Sequence, residues 1–311
     1  MAKPVRATSR GTYHPLLGTN VEVRVVAEGT TLDAALARAA HAEAAAVAEM
    51  QRLQNVFTVH DPGSELCRWR SGSLDVVSAE LAGVLAAARH WWEFSGGAFH
   101  PAAGVARRRW LRAEAEQRLP PESELDALAQ QLAELPFRVG GTRVERTGDC
   151  SGVDLNAIAK GHIVDRGVAA GLQDGVCDVL VNAGGDLRHV GDEVVRVGVE
   201  DPDDLGGRPV AVVALSDGAI ATSGSVHRGF RIDGTWYGHV LDPRTARPVT
   251  DRPSTTVRAT DAITADALAT VVGVLAWPEA IPLLQRVAGA AALAVGADGE
   301  LRSIGEWPQT V

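Results

Sequence analysis

The stretch SGVDLNAIAKGHIVDRGVAAGLQDGVCDVLVNAGGD, from Ser151 to Asp186, decides the fold of this 311-residue chain. After Asp154, small residues lead into apolar positions with the spacing of a helix. The apolar run Val179–Val181 then predicts a buried strand, which Asn-Ala-Gly-Gly ends. The stretch therefore predicts a turn, a helix and a strand in succession.

The start of this predicted helix has two interpretations. Small residues let a ligand approach the backbone, the free N–H groups of a helix start attract a phosphate, and Lys160 adds a cation. An ordinary strand–helix–strand unit with a surface lysine explains the same residues, and this stretch alone favours it. Neither a Walker loop nor the dinucleotide motif GxGxxG occurs in it. A functional conclusion therefore needs the rest of the chain.

The composition is that of a globular protein, with 46% apolar and 22% charged residues. A net charge of −9 argues against a nucleic-acid partner. The three cysteines are scattered without metal-binding or disulfide spacing, which favours a reducing compartment. The sequence shows no signal peptide, no lipid-attachment cysteine and no apolar run that could span a membrane, so we expect a cytoplasmic protein.

The whole chain predicts one α+β domain over residues 17–311, preceded by a loose, flexible arm over residues 1–16. Alternating apolar residues predict strands, and apolar stripes that begin behind Ser or Thr caps predict helices. The predicted strands are 18–26, 194–200 and 210–215, the predicted helices are 32–54, 78–94 and 120–135, and the predicted hairpin is 137–145.

Polar groups suited to a nucleotide occur in two later segments. The hydroxyl-rich segment 222–225 is predicted to form a turn that holds phosphate or ribose oxygens. His239 follows a predicted strand and Asp242 lies three residues later, and a histidine beside a carboxylate can act as a base near neutral pH. A structural histidine fits the same pattern. Phe99 lies in a loop of small residues that suits a flat ring, although a buried loop phenylalanine is the commoner case.

Asp266 and Thr270 have the sharpest spacing in the chain. They are four residues apart, so they share a face of the helix predicted there. A carboxylate and a hydroxyl suit a hard cation such as Mg²⁺, which accepts few protein ligands and completes its octahedron with water and phosphate oxygens. The alternative is a carboxylate in a first helical turn and a threonine bonded back to a carbonyl.

Several segments of the chain follow one another in a recognisable order, although each alone is unspecific. They are 61–66 (DPGSEL), 95–99 (SGGAF), 154–161 (DLNAIAKG) with Asp165, 181–186 (VNAGGD), 221–224 (ATSG), 239–245 (HVLDPRT) and 264–270 (TADALAT). Together they resemble the ApbE-like flavin transferases, a family of FAD:protein FMN transferases. The resemblance covers most of the chain, from Gly18 to about Leu275.

The resemblance implies a T-fold-like α+β architecture with mixed or antiparallel sheets, FAD as flavin donor and Mg²⁺ at the pyrophosphate. It implies transfer of FMN from FAD to a threonine hydroxyl of a target protein, with release of AMP. The metal ligands that it implies are the backbone oxygen of Ala157 and the side chains of Asp266 and Thr270. The FAD contacts that it implies are Leu17, Ala98, Phe99, His100, Asp154, Lys160 and His239. We add the hydroxyls of Thr222 and Ser223, and we expect His239 to be the base and Asp242 to orient it.

The sequence departs from the family pattern at three places. Leu17 stands where a methionine is usual, and Asn156-Ala157 replaces a usual pair of glycines. His100 stands where an acidic residue usually follows Ala-Phe, which exchanges an acceptor for a group that can also donate. Two other functions fit the same motifs, namely an FAD pyrophosphatase that gives FMN and AMP, and an FAD-binding protein without turnover. A homodimer is compatible with all three.

Overall fold

The computed structural model describes residues 4–204, 206–224 and 228–307. Within these ranges the strands are β1 (Val5–Leu16), β2 (Thr19–Gly29), β3 (Phe137–Gly140), β4 (Arg143–Arg146), β5 (Val176–Ala183), β6 (Asp186–Gly191), β7 (Val195–Val199), β8 (Ala211–Leu215), β9 (Gly218–Gly224), β10 (Gly229–Ile232), β11 (Thr235–Gly238), β12 (Leu241–Asp242), β13 (Arg247–Pro248), β14 (Ser254–Ala259), β15 (Ala291–Val295) and β16 (Leu301–Ile304). The helices are α1 (Leu32–Phe57), α2 (Glu65–Arg70), α3 (Ala79–Phe94), α4 (Gly104–Glu116), α5 (Glu122–Gln131), α6 (Ala159–Gly171), α7 (Ala262–Val274) and α8 (Trp277–Leu284).

An eight-stranded sheet in the order β1-β2-β5-β6-β9-β14-β15-β16 forms the centre of the molecule. Its neighbouring strands run antiparallel. Successive side chains of a strand point to opposite faces of the sheet, so Val21, Val23 and Val25 of β2 all lie on one face, where they are fully buried. The helices α1, α6 and α7 pack on the sheet and bury that face. The α+β prediction is confirmed, and the sheet is antiparallel.

The opposite face of the sheet carries a second, smaller core. Leu180 of β5 and Leu187 of β6 project from this face because their neighbours project toward the helices. The hairpin of β7 and β8 covers them with Val213 and Leu215. The clean alternation in residues 194–200 and 210–215 predicted these two strands, which are buried on one side.

Caps at the helix starts agree with the sequence signals. The Thr31 side chain accepts from the backbone N–H of Ala34 at 3.2 Å, and α1 begins at the next residue. Ser78 caps α3 in the same way, at 3.2 Å from the backbone nitrogen of Leu81. The helix α6 and the strand β5 confirm the helix and strand that were predicted from the opening stretch.

Two predictions of local structure are wrong. Residues 5–16, expected to form a loose arm, are the edge strand β1, which pairs with β2 from Val5–Gly29 to Leu16–Thr19. The exposed, polar outer side of β1 weakens its sequence signal, although the backbone is held by β2. Residues 222–224, expected to turn, belong to β9, because β14 pairs with them along its length. Ser225 lies outside the described residues.

Among the residues that the structure describes, no helix is both long enough and apolar enough to cross a membrane.

Candidate active site

A buried ion pair joins α6 to the start of β6. The Nζ atom of Lys160 lies 2.7 Å from Oδ2 of Asp186, whose side chain is almost fully buried. The backbone N–H of Thr222 also favours the ionised form of this carboxylate and lowers its pKa. The turn before Asp186 consists of Gly184 and Gly185, with φ of 62° and 100°, and such left-handed backbone favours glycine. The β5–β6 turn therefore presents Asp186 to the two neighbouring elements.

The second carboxylate of the site comes from α7. Oδ2 of Asp266 accepts the backbone N–H of Gly161 at 3.0 Å, close to the start of α6. A Cβ atom on Gly161 would lie 2.2 Å from the carbonyl oxygen of Ala262 and 2.9 Å from Cβ of Asp266. Only glycine allows this approach, so the Lys-Gly pair of the opening stretch supplies both the cation and the close contact between helices.

This cluster, Lys160 with Asp186 and Asp266, holds two carboxylates for one ammonium group. Burial raises the pKa of Asp266 well above its ordinary range, and the negative charge of Asp186 raises it further. Burial also raises the pKa of Asp186, against the effect of Lys160. Burial alone lowers the pKa of Lys160, but the two carboxylates raise it overall. With both carboxylates ionised, the cluster lacks one positive charge.

These charges fit a divalent cation at Asp266, because a buried carboxylate needs a counter-charge. The described residues hold no group of three or more His, Cys, Asp or Glu side chains arranged to bind a metal. A site here would therefore depend on one carboxylate, a hydroxyl and a backbone carbonyl, with water and phosphate oxygens as the remaining ligands. That donor set suits Mg²⁺.

Thr270 lies one turn after Asp266 on α7, so the two side chains share a helix face. Gly273, one further turn along, would place a Cβ atom 3.8 Å from Oγ of Ser223. Ser223 therefore lies opposite the face of α7 that carries Asp266 and Thr270, the two predicted side-chain metal ligands. Thr222 points to the other side of β9, and its hydroxyl lies 2.9 Å from that of Thr256.

Ala157, the third predicted metal ligand, lies in the turn that leads into α6.

His239 follows β11 directly and has one defined proton position. Its Nδ1 atom lies 3.1 Å from the carbonyl oxygen of Arg228, and a carbonyl only accepts, so Nδ1 carries the hydrogen. No hydrogen bond joins Nε2 to the part of the chain that the structure describes, which leaves its lone pair available. Burial, with the positive charges of Arg228 and Arg107, lowers the pKa of His239. The ring is therefore neutral near pH 7 and can accept a proton.

Asp242 does not orient His239. Its carboxylate accepts from the backbone N–H of Arg244 at 2.9 Å and pairs with the guanidinium of the same residue, with Oδ2 to Nη2 at 2.9 Å. The turn that begins at Asp242 closes with the N–H of Thr245 on the Asp242 carbonyl, as the sequence predicted. The prediction of a His239–Asp242 pair is wrong, because this turn directs the carboxylate toward Arg244.

The loop of Ala98, Phe99 and His100 is buried, with 1%, 2% and 6% of each residue exposed. Phe99 is therefore not a free surface on which a flat ring could stack. His100 accepts the backbone N–H of Ala102 on Nδ1 at 3.0 Å, and Nε2 lies 3.4 Å from the carbonyl oxygen of Glu134. Burial lowers the pKa of His100 to about 4. Its Nδ1 performs the turn-capping role that an aspartate oxygen often performs.

Asp154 connects this loop to the turn before α6. Its backbone N–H donates to the carbonyl of Pro101 at 2.7 Å, and its Oδ1 accepts the N–H of Asn156 at 2.8 Å. The Asp154 carboxylate therefore caps the turn that carries Ala157.

Leu17 occupies the tight turn between β1 and β2, with φ of 55°. Its backbone N–H donates to Oε1 of Gln54 at 2.6 Å. A Cβ atom on Gly184 would lie 2.4 Å from Oγ1 of Thr19, so this turn contacts the glycine turn that precedes Asp186. Leu17 therefore lies two residues before Thr19, the residue that meets the Gly184 turn.

A cavity of about 390 Å³ lies beside the buried loop rather than at the cluster. Its walls include Trp92 and the glycines that follow α3, the apolar residues Ala129, Leu132 and Ala133 at and just after the end of α5, and Arg244. The indole of Trp92 meets the ring of His100 edge-on, with centroids 6.4 Å apart. His100 thus supports one wall of this cavity.

Comparison with known proteins shows which family this arrangement represents. The family model described as "ApbE family" matches residues 17–294. The chain belongs to the ApbE family. An FAD:protein FMN transferase of Treponema pallidum is 30% identical over 312 residues, which cover 93% of this chain and 84% of that protein. An FAD:protein FMN transferase of Rhodobacter capsulatus is 32% identical over 85% of this chain, which spans about half (51%) of that longer protein.

Solved ApbE structures agree with the fold described above. The ApbE protein of Thermotoga maritima superposes with a TM-score of 0.79 at 28% identity, over 96% of this chain and 97% of that one. The flavin transferase ApbE of Vibrio cholerae has a TM-score of 0.72 at 21% identity, over 97% of each chain, and this similarity concerns the fold alone. The family model and the named relatives show that the chain is an enzyme of the flavin transferase family.

Sequence reasoning missed two residues of this ApbE site. Asp186 ends the motif VNAGGD, but its partnership with Lys160 joins two elements that no sequence pattern relates. The positive charge of Arg228 acts on the pKa of Lys160, Asp186 and His239, so this residue contributes to the electrostatics of the site. Arg228 belongs to none of the motifs that carried the resemblance. It directly follows residues 225–227, which lie outside the described ranges.

Proposed function

We propose that this enzyme transfers the FMN part of FAD to a threonine hydroxyl of a target protein and releases AMP. The observation that carries the proposal is the buried cluster of Lys160, Asp186 and Asp266, which needs a counter-charge, and His239 with its fixed tautomer is the proposed base. The carbonyl of Arg228 orients the imidazole, and the positive charge of the same residue acts on Lys160 and Asp186. The family membership supports the choice of FAD as the donor.

The proposed reaction balances as a phosphoryl-type substitution. The threonine oxygen attacks the flavin-side phosphorus, a new P–O bond forms, and the P–O bond to the AMP phosphate breaks. The threonine proton passes to Nε2 of His239, the ring nitrogen that has no hydrogen bond to any described residue. Because Nδ1–H stays bonded to the Arg228 carbonyl, the resulting imidazolium keeps its orientation.

The residues that would hold Mg²⁺ are Ala157 through its backbone oxygen, Asp266 and Thr270. When bound, the ion supplies positive charge that stabilises the departing phosphate. Lys160 fixes Asp186 by an ion pair, and Gly161 donates to Asp266, so the carboxylates are held before a substrate arrives. Arg228 adds a positive charge at the same site. A cytoplasmic location and a homodimer stay predictions from the sequence.

The test is incubation of the purified protein with FAD and MgCl₂, with a threonine-containing peptide or its alanine counterpart, followed by mass spectrometry. We expect a mass gain of one FMN on the threonine peptide only, together with AMP. Asp266→Ala is expected to abolish this gain, and Asp126→Ala, at an exposed position of α5, is the matched control.

Two other outcomes would contradict transfer. Free FMN and AMP without modified peptide would identify an FAD pyrophosphatase, with water as the acceptor. Bound but unchanged FAD would identify a flavin-binding protein without turnover. The same samples distinguish all three results, because peptide, free flavin and nucleotide are measured together.

A further inference from the structure

The start of α7 is held by a carboxylate from another helix. Asp165, on α6, accepts the backbone N–H of Ala262 on Oδ1 at 2.8 Å and that of Ile263 on Oδ2 at 2.9 Å. These are the first two residues of α7, whose N–H groups have no partner within their own helix. Both oxygens of one side chain therefore hold one helix end, and a two-point contact fixes position and direction.

The usual cap of α7 is a separate residue. Asp261, which directly precedes the helix, accepts the backbone N–H of Thr264 on Oδ1 at 2.9 Å. Local capping is therefore satisfied without Asp165. Arg188 of β6 lies 3.6 Å from the Asp165 carboxylate and 2.6 Å from that of Asp217, so a cation compensates the charge of this second contact.

The contact between the two helices is reciprocal. Asp165 of α6 holds the N-terminus of α7, and Gly161 of α6 donates its N–H to Asp266 of α7 at 3.0 Å. Asp165 lies one turn after Gly161 on α6, and Asp266 lies one turn after Ala262 on α7. The four residues close a ring of contacts, with Asp266 as one of its corners.

We propose that Asp165 is a positioning residue that sets where the Asp266 carboxylate lies for cation binding. The inference rests on the proposed function, because it takes Asp266 as a metal ligand. Mg²⁺ accepts little deviation from octahedral geometry. A shift of α7 along α6 displaces Asp266 and Thr270 together, so the contact at the helix start controls cation affinity from outside the binding site.

The experiment measures cation binding directly, with Mn²⁺ as a paramagnetic substitute whose free concentration is read by EPR. The variants are Asp165→Ala and Asp165→Asn, and the matched control is Asp261→Ala. The control removes a cap from the same helix end but leaves the bonds between α6 and α7 intact. Thermal unfolding of each variant shows how much each change loosens the helix. Mg²⁺ titration of peptide flavinylation is the second measurement.

For Asp165→Ala we expect a Kd for Mn²⁺ raised by about 10-fold or more, the size of effect seen when partners of metal ligands are removed. The Mg²⁺ concentration for half-maximal flavinylation rises by a similar factor, while kcat at saturating Mg²⁺ stays within about threefold of the wild type. Asp165→Asn keeps one acceptor oxygen and gives an intermediate Kd. If the alanine variant does not fold, the asparagine variant provides the comparison.

Two results would overturn the proposal. One is an unchanged Kd in a folded Asp165 variant, and the other is an equal rise in Kd for Asp261→Ala, which would reduce Asp165 to a general helix cap. Failure of the wild type itself to bind Mn²⁺ would instead refute the metal site in the proposed function, and with it this inference. The wild-type titration therefore separates the two failures.

Discussion

The carbonyl oxygen of Arg228 accepts two hydrogen bonds from His239, one from its backbone N–H and one from Nδ1, both at 3.1 Å. The pair fixes both the start of the segment after β11 and the tautomer of the imidazole. A backbone carbonyl has no titratable proton, so it holds the ring in the same way at any pH at which the protein is folded. The acceptor nitrogen Nε2 is thereby the reactive end of His239.

The pH dependence of transfer should follow this histidine. Burial and the nearby arginine charges lower the pKa of His239 from its ordinary value of 6.5. A base works when deprotonated, so kcat falls as pH drops and the acid limb has its midpoint below 6.5. His239→Gln is expected to lower kcat by roughly 10²- to 10⁴-fold and to remove that limb. Undiminished kcat in this variant at saturating FAD would exclude His239 as the base.

Asp242 gives a contrasting prediction. Because its carboxylate pairs with Arg244 and has no hydrogen bond to His239 among the described residues, Asp242→Ala should change kcat less than about threefold at saturating FAD. The variant loses only the bonds between Asp242 and Arg244 in this turn, so we expect a small decrease in its melting temperature. A loss of kcat comparable with that of His239→Gln would show that the carboxylate acts on the imidazole after all.

Helices, caps and alternating strands could be predicted because their signals are local. Thr31 and Ser78 each cap a helix within four residues, and the side-chain period of β2 shows in its valines. The strand β1 could not be predicted, since its polar outer side gives no apolar alternation and its pairing with β2 is a tertiary contact. The same reason explains why residues 222–224 extend into β9.

The candidate site divides along the same line. The spacing of Asp266 and Thr270 predicted a shared helix face, and the structure places both on α7. The partner of His239 was wrongly predicted because nearness in sequence suggested Asp242. In the structure His239 bonds to Arg228, which lies eleven residues earlier in the chain. The pairing of Lys160 with Asp186 depends on how α6 crosses the sheet, which no local pattern encodes.

The Lys160–Asp186 pair should be strongly coupled in stability. Lys160→Met leaves two carboxylates without their ammonium in a buried place, and we expect a loss of about 3 kcal/mol or more in unfolding free energy. Asp186→Asn added to Lys160→Met should recover part of this loss, which urea unfolding of the single and double variants measures. The exposed pair Arg302–Glu300 is the control, and its removal should hardly change stability. Additive single effects at Lys160 and Asp186 would contradict the coupling.

Gly161→Ala tests the close approach of α6 and α7. Its new methyl group would overlap the carbonyl of Ala262 and crowd Asp266, so the helices must separate. We expect a loss of about 2 kcal/mol or more in unfolding free energy, together with weaker Mn²⁺ binding. Gly83→Ala is the matched control, because a Cβ there meets nothing within 4 Å and alanine favours a helix by up to about 1 kcal/mol. Equal stability of the two variants would show that the helices are not in tight contact.

His100 should make the protein less stable in acid. Its pKa is about 4 in the folded protein and 6.5 in the unfolded chain, so between these values the unfolded chain binds more protons and stability falls as pH falls. The full effect at pH 4 is on the order of 3 kcal/mol. His100→Asn keeps an acceptor for the N–H of Ala102 but does not titrate, so its stability should decline less between pH 7 and pH 4. Urea unfolding across this range measures the difference, with the exposed His41→Asn as control. Parallel pH curves for wild type and His100→Asn would mean that the buried ring becomes protonated as easily in the folded protein as in the unfolded chain.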